Sequence, residues 1–438
     1  MAVLKIGGKK KLSGEIHPHG AKNEALQVLC AALLTQEEVV FNNVPLVRDV
    51  LELISIIKKL GAEVKEMGSH SFSIKMADFD KDYINSGEYY KDLPRLRGSV
   101  MLMAPLLCRL GDAVLPQLGG DKIGRRRLDT HFRGLELLGA EFEYDDILNR
   151  YHIWQNGSLE GRYILLEEAS VTGTANVLMA SVFAEGVTTI YNAACEPYIQ
   201  QLCAMLNRMG AKISGVGSNL LTIEGVKELG GTEHTILPDM IEVGSFIGMA
   251  ALTNSTIRIK NVRVDMLGCI LREFRKLGIR IDVEGDDLIV REQGIYKPQA
   301  FIDGSILTIH DAPWPGLSPD LISVMIVVAT QAEGSVLFHQ RMFESRLYFV
   351  DKLIDMGAQV IICDPHRANV IGHGRRVSLK ATTLISPDIR AGMALLLAAL
   401  SADGTSIIKN IEQIERGYED LEGRLKALGA DIERVEDI

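Results

Sequence analysis

Two kinds of helical pattern alternate along the chain. The first is apolar on every side and almost uncharged, in Ala25 to Leu34, Ser99 to Leu110, Ala175 to Ala184, Gly244 to Leu252, Ile322 to Gln331 and Ala391 to Ser401. Lacking a polar face, such helices are expected to be buried all round. The second is amphipathic, as in Val50-Leu51-Glu52-Leu53-Ile54-Ser55-Ile56-Ile57, and it runs into a phrase that recurs six times. The copies are Leu60-Gly61-Ala62-Glu63, Leu138-Gly139-Ala140-Glu141, Met209-Gly210-Ala211-Lys212, Leu277-Gly278-Ile279-Arg280, Met356-Gly357-Ala358-Gln359 and Leu428-Gly429-Ala430-Asp431. Successive glycines of the phrase lie 78, 71, 68, 79 and 72 residues apart, so one unit of nearly constant size repeats. The glycine is expected to close the amphipathic helix from a left-handed conformation, where it carries no Cβ penalty. An alternating strand follows, as where Ile279, Ile281 and Val283 face one way and Arg280 and Asp282 the other. Other strands stand between the two helices, at Glu38 to Phe41, Val187 to Ile190, Thr256 to Ile259, Ser335 to Phe338 and Thr405 to Ile408. Each unit thus reads strand, buried helix, strand, outer helix, then strands.

Composition narrows the class. The 438 residues are 47% hydrophobic and 24% charged, which supplies more than one core and excludes a disordered chain, a collagen-like fibre and a small disulfide scaffold. Lysine plus arginine at 47 against aspartate plus glutamate at 57 gives a net charge of −10, which argues against a general nucleic-acid binder. Any anionic ligand must be met by locally clustered basic residues. The six cysteines, Cys30, Cys108, Cys195, Cys203, Cys269 and Cys363, form no C-x-x-C pair, which speaks against zinc and disulfide readings. The chain reaches Lys9-Lys10-Lys11 without the apolar core of a signal peptide, and no run approaches the ~18 apolar residues of a membrane helix. A cytoplasmic protein with no membrane partner is expected. His17 and His19 lack a third ligand in their His-Pro-His segment and are read as incidental; neither a metal nor a cofactor is expected.

The starts of the apolar helices are unusually polar: Gly20-Ala21-Lys22-Asn23, Arg95-Leu96-Arg97-Gly98-Ser99, Ser170-Val171-Thr172-Gly173-Thr174, Pro238-Asp239-Met240-Ile241-Glu242, Ser318-Pro319-Asp320 and Ser386-Pro387-Asp388-Ile389-Arg390. For Asp239, Asp320 and Asp388, helix capping and a ligand role both remain open. Lys22, Arg97 and Arg390 are different, because a cation near a helix N-terminus opposes the dipole and calls for an anion. Three of them at equivalent repeat positions favour an anionic ligand.

Six such units match the architecture of the enolpyruvyl transferases. That resemblance implies an α+β fold, a two-domain inside-out α/β barrel built from six β-α-β-α-β-β units, with residues 21–236 in one domain and 1–20 plus 237–438 in the other. It implies that the first strand, Leu4 to Leu12, joins the C-terminal half, and that the buried helix starts converge on an anion-binding cleft between the domains. More specifically, Gly20-Ala21-Lys22-Asn23-Glu24-Ala25-Leu26, Gly119-Gly120-Asp121-Lys122-Ile123-Gly124-Arg125-Arg126, Phe343-Glu344-Ser345-Arg346 and Glu415-Arg416-Gly417-Tyr418-Glu419 resemble the signatures of the UDP-N-acetylglucosamine 1-carboxyvinyltransferase family. The shikimate-pathway sister family usually has Lys-Ser where this chain has Lys22-Asn23.

The resemblance implies transfer of the enolpyruvyl group of phosphoenolpyruvate to the 3-hydroxyl of UDP-N-acetylglucosamine, with release of phosphate. Carried over residue by residue, Lys22, Arg126 and Arg416 clamp phosphoenolpyruvate, with Arg390 and Arg346 beside them. Asn23 bonds the sugar and Asp320 accepts its hydroxyl proton. Arg97, Arg126, Arg127, Leu128, Asp129, Thr130, Ser170, Val171, Thr172 and Met342 lie on the nucleotide side. Most family members carry, after the glycine pair, a cysteine that acts as the acid and is alkylated by fosfomycin; here Asp121 takes that place, and a carboxylic acid serves if its pKa is raised. Arg126-Arg127-Leu128-Asp129-Thr130-His131 departs from the usual Arg-Pro-Val-Asp-Leu-His, Glu168 replaces a common basic residue and Met240 a usual arginine. Two alternatives therefore stay open: a paralogue with another hydroxyl acceptor such as shikimate 3-phosphate, and a non-catalytic repeat protein that binds sugar nucleotides.

Overall fold

The computed structural model describes residues 2–120, 123–124 and 126–436. The chain separates into two compact units: a central unit, Gly20–Gly120 with Arg126–Leu237, and a terminal unit, Met1–His19 with Asp121–Arg125 and Pro238–Ile438. Ile123 and Gly124, counted in the sequence with 21–236, group with the terminal unit, where the Ser345 N–H donates to the Ile123 carbonyl at 3.2 Å.

Three apolar helices pack together inside each unit. In the terminal unit these are Met240–Leu252, Pro319–Ala329 and Ile389–Ser401, and every residue of the first is buried. Close approach is possible because a Cβ on Gly244 would stand 2.5 Å from the Leu321 side chain, and one on Gly248 2.5 Å from Val324. The central unit has Lys22–Ala31, Met103–Leu110 and Val171–Ser181. All six phrase glycines adopt positive φ, between 90° and 110°. At Gly61 the N–H reaches the Lys58 carbonyl while that of Ala62 reaches Ile57, which satisfies two carbonyls the ended helix leaves over; Gly210, Gly278, Gly357 and Gly429 repeat the motif.

Five sheets share one strand order. In the central unit Thr232–Thr235 pairs parallel with Val39–Asn42, which pairs antiparallel with Ser71–Lys75 and then Glu63–Gly68. In the terminal unit Ser13–Ile16 leads the corresponding sheet, parallel to Thr256–Ile259. Each leading strand is therefore the segment that precedes a passage from one unit to the other, at 19/20 or 237/238. The expected single strand from Leu4 to Leu12 is two strands, Ala2–Gly7 and Ser13–Ile16. Gly8 breaks it by packing its backbone on Ala402, where a Cβ would stand 2.0 Å from the carbonyl oxygen, and Lys9 follows with φ of 59°. Ala2–Gly7 does join the C-terminal half, between Thr405–Lys409 and Asp431–Glu436.

The second unit of the repeat departs from the expected plan. Among the described residues its sheet has Asp112–Pro116, Arg150–Gln155 and Ala140–Asp145, and the short helical segments Lys81–Ile84, Tyr89–Asp92 and Leu93–Arg95 stand where a leading strand is expected. Asp80 caps the first by accepting from the Tyr83 N–H at 2.9 Å, and the Tyr89 hydroxyl donates to the Val114 carbonyl at 2.8 Å on the strand edge. The inner helix also begins differently, as a 3₁₀ stretch Arg97–Leu102 ahead of Met103–Leu110. Pro105 explains this: it has no N–H and its ring clashes with the carbonyl four residues back, so the α-helix cannot extend upstream. Asn176, fully buried on the neighbouring inner helix, repairs the junction. Its Oδ1 accepts from the Ala104 N–H at 3.1 Å and its amide donates to the Val100 carbonyl at 3.1 Å. The same amide donates to His131 Nδ1 at 3.0 Å, which leaves His131 Nε2 to donate to the Thr172 hydroxyl at 3.1 Å. His131 is thereby held neutral, and burial followed by the Arg97 charge pulls its pKa down to about 3. Among the described residues no helix is long and apolar enough to cross a membrane.

Asn176→Ala leaves a buried donor and a buried acceptor unmet, and is expected to cost about 2–4 kcal/mol in urea unfolding. His131 adds a pH dependence. Its folded pKa lies below the unfolded value of about 6.5, so the unfolded chain binds the proton first and stability falls as pH drops below that value. From pH 7 to pH 5 the contribution is about 2 kcal/mol, and a His131→Gln variant is expected to lose that part of the slope in the same urea titration.

Candidate active site

The central unit presents its first inner helix without a side-chain cap. Ala21 stands at the N-cap position, and its N–H donates to the Leu237 carbonyl at 2.7 Å. Lys22, buried, meets the Asp49 carboxylate at 2.5 Å. Asp49 lies in the first turn of the outer helix Arg48–Lys59, where the helix dipole favours an acid. Asn23 is half-buried beside it. Arg97 opens the 3₁₀ stretch and donates to the Arg126 carbonyl, and burial lowers its pKa. Gly120, with φ of 127°, turns over this arginine so closely that a Cβ would stand 3.1 Å from its side chain. Ser170 caps Val171–Ser181 by accepting from the Gly173 N–H at 3.2 Å, and the Thr130 hydroxyl donates to Glu168 at 3.4 Å. Arg127 and Asp129 are exposed, Leu128 is buried, and Arg126, Val171 and Thr172 are half-buried.

The terminal unit gathers a denser cluster. Ser318 caps Pro319–Ala329, its hydroxyl accepting from the Asp320 N–H at 3.3 Å. The Asp320 carboxylate instead spans two guanidiniums, Arg346 Nη2 at 2.5 Å and Arg390 Nε at 3.0 Å. Burial alone would raise the Asp320 pKa, but Arg346 and Arg390 outweigh it and hold the carboxyl well below its usual range. Arg390 is itself backed by the Tyr418 ring, 5.6 Å from its guanidinium carbon, and the Tyr418 hydroxyl bonds Ser245 at 2.8 Å. Arg346 lies 5.3 Å from the Phe343 ring. Arg346 Nε and Arg390 Nη1 are buried without a hydrogen-bond partner among the described residues. Buried donors are rarely left so, and guanidinium N–H groups of this kind suit a carboxylate or phosphate acceptor.

The structure separates the three aspartates that the sequence left open. Asp239 and Asp388 are caps, accepting from Ile241 N–H at 2.8 Å and from Arg390 and Ala391 N–H at 2.8 and 3.0 Å. Asp320 is not a cap. The anion that the dipole argument demanded for Lys22 and Arg390 is supplied from within, by Asp49 and Asp320, and Arg97 has a carbonyl instead. Arg416 follows the short helix Glu412–Glu415, with Nη1 on Gln413 at 2.9 Å. Met342 is exposed, its backbone N–H on Asp311 at 3.2 Å rather than in the Asp320 cluster. Asp121 lies outside the described residues. Sequence reasoning missed Asp49 and Tyr418 as partners of the cations, and Ser245 as the hydroxyl partner of Tyr418. Only Tyr418 carried a signal, two residues after Arg416 in a quoted signature.

Residues 6–425 match the family described as EPSP synthase (3-phosphoshikimate 1-carboxyvinyltransferase). The UDP-N-acetylglucosamine 1-carboxyvinyltransferase of Bacteroides thetaiotaomicron is 62% identical over 99% of this chain and 100% of its own, and that of Porphyromonas gingivalis 58% identical over the same shares. In fold, the enolpyruvyl transferase NikO from Streptomyces tendae superposes with a TM-score of 0.86 at 23% identity, over 100% of this chain and 99% of its own. With relatives this similar along its whole length, the chain belongs to the UDP-N-acetylglucosamine 1-carboxyvinyltransferase family of enolpyruvyl transferases.

Proposed function

We propose that this chain transfers the enolpyruvyl group of phosphoenolpyruvate to the 3-hydroxyl of UDP-N-acetylglucosamine and releases phosphate, the first committed step of peptidoglycan precursor synthesis. The observation that carries the reading is Asp320 held between Arg346 and Arg390, while each guanidinium keeps a buried N–H without a partner among the described residues. A carboxylate beside surplus cationic donors suits a reaction in which an anion binds and a hydroxyl loses its proton. The names of full-length relatives give the acceptor, UDP-N-acetylglucosamine, and the carboxyvinyl group transferred to it; phosphoenolpyruvate as donor and a cytoplasmic location belong to the same reading.

In this reading Lys22, Arg126 and Arg416 clamp phosphoenolpyruvate with Arg346 and Arg390, and Asn23 bonds the sugar. Arg97, the segment from Arg126 to Thr130, Ser170 to Thr172 and Met342 serve the nucleotide. Addition forms a bond from the sugar oxygen to C2 of phosphoenolpyruvate; Asp320 takes the hydroxyl proton and Asp121 delivers one to the C3 methylene. Elimination then breaks the bond from C2 to the phosphate oxygen, and C3 gives up its added proton. Asp320 is a poor base while both arginines neutralise it. An anionic substrate that draws Arg346 and Arg390 toward itself weakens that hold and raises the basicity of Asp320, so binding and proton transfer are coupled through the same two guanidiniums.

Purified protein is expected to release phosphate from phosphoenolpyruvate with UDP-N-acetylglucosamine and not with shikimate 3-phosphate; release with the latter alone would assign another acceptor, and release with neither a binding protein. Lys22→Ala and Arg416→Ala are each expected to lower kcat by about 10²- to 10⁴-fold while circular dichroism and Tm stay near wild type. Turnover is expected to resist fosfomycin, and Asp121→Cys to keep turnover and gain sensitivity; a folded but inactive Asp121→Cys would count against equating the two positions.

A further inference from the structure

Two glutamates occupy matching places that none of these roles uses. Glu24 is the third residue of the inner helix Lys22–Ala31, and Glu242 the third of Met240–Leu252. These are the inner helices that begin just after the chain passes from one unit to the other. Both carboxylates are buried, with 0% and 2% exposure, inside helices otherwise almost without charge. An acid at this position commonly reaches back to the N-cap N–H. In both helices that N–H has a backbone acceptor. The Ala21 N–H is taken by the Leu237 carbonyl at 2.7 Å, and the Asp239 N–H by the His19 carbonyl at 2.8 Å.

Each carboxylate instead grips the backbone of the passage that leads the other way. In the central unit Glu24 accepts from the Leu237 N–H at 3.2 Å through Oε2 and 3.3 Å through Oε1, and Oε1 also accepts from His234 Nε2 at 2.8 Å. His234 can donate there because its Nδ1 accepts from Arg208 at 2.6 Å, which fixes a neutral ring between a buried acid and a cation. In the terminal unit Glu242 accepts from the His19 N–H at 2.6 Å through Oε2, and Arg424 closes on both oxygens at 2.6 and 3.2 Å while also donating to the His17 carbonyl. The backbone partners are equivalent, and the charge partners are not.

We propose that Glu24 and Glu242 are a matched pair of positioning residues. Each fixes a passage segment to the first turn of an inner helix, and so sets where Lys22 and Asn23 stand in one unit and Asp239 in the other. The inference rests on the proposed roles of Lys22 and Asn23, but the backbone grip itself does not. A buried carboxylate replaced by alanine leaves the Leu237 or His19 N–H unmet, so the first turn and the passage lose their common anchor. Glutamine keeps an acceptor oxygen for that N–H.

The full chain carrying Glu24→Ala, Glu24→Gln or Glu242→Ala tests this. Hydrogen exchange of peptides covering 235–239 in Glu24→Ala and 17–21 in Glu242→Ala is expected to quicken at least about tenfold, with Glu24→Gln restored toward wild type. In turnover, Glu24→Ala is expected to lose about tenfold to a hundredfold in kcat and to raise the KM for phosphoenolpyruvate, with the Kd for UDP held within about threefold. Leu202→Ala, a buried outer-helix substitution, serves as a control for stability. Unchanged exchange in both alanine variants overturns the inference whatever the activity. Equal kcat losses in Glu24→Ala and a Leu202→Ala of matching Tm overturn it as well. A wild type that releases no phosphate with UDP-N-acetylglucosamine refutes the proposed function instead, and the exchange measurement still decides this inference.

Discussion

Everything in this fold follows from enclosing helices that have no polar face. A helix apolar on every side must be covered on every side, and covering it removes water from the backbone groups at its ends. The starts then need internal partners, and the chain supplies a different one at nearly every start. Ser170, Ser318, Asp239 and Asp388 use side-chain caps, whereas Lys22–Ala31 has none and its N-cap N–H leans on the Leu237 carbonyl. Polar chemistry collects at these places because they are where a buried apolar helix has backbone polarity left to satisfy. The residues assigned to the reaction are drawn from the same few positions, so structural and functional demands fall on one set of side chains.

The repeat was legible because its signals are local. A glycine that must adopt positive φ after an amphipathic helix leaves a phrase in the sequence, and all six copies fold as that phrase requires. The helix starts were less legible. The apolar pattern sets in at Ala25 and Gly244, whereas the helices begin at Lys22 and Met240, because the polar first turn hides the periodicity that identifies a helix. The second copy was misread for another local reason, Pro105, together with the helical segments that stand where a leading strand is expected.

Ser-Pro-Asp shows where local reading stops. The tripeptide stands at two inner starts, as Ser318-Pro319-Asp320 and Ser386-Pro387-Asp388. In the first, Ser318 is the cap and Pro319 the first helical residue, so Asp320 turns to Arg346 and Arg390. In the second the helix starts two residues later, Pro387 lies outside it, and Asp388 is the cap. Proline at the first helical position is the commoner arrangement, and it would have singled out Asp320 but misassigned Asp388. What decides between them is the tertiary surroundings, the two guanidiniums and the fit of each helix against its neighbours. The pairing of Lys22 with Asp49 is equally invisible, since no spacing rule links residues on separate helices.

Internal pairing also changes how the charge of −10 bears on binding an anion. The sequence argument required a local surplus of positive charge, but Lys22 and Arg390 both carry a carboxylate partner, and the Asp320 group of three is only one charge in excess. Desolvating a guanidinium is expensive, and here that step is completed during folding, with Asp320 as the counter-ion. In the proposed reaction an incoming phosphate or carboxylate draws the two guanidiniums from Asp320 across groups already dry, and meets donors such as Arg346 Nε and Arg390 Nη1. The exchange has a chemical consequence that a simple cationic pocket would lack. Under the proposed function, guanidinium charge given to the substrate is withdrawn from Asp320, so the carboxylate becomes a competent base to the degree that the substrate is in place.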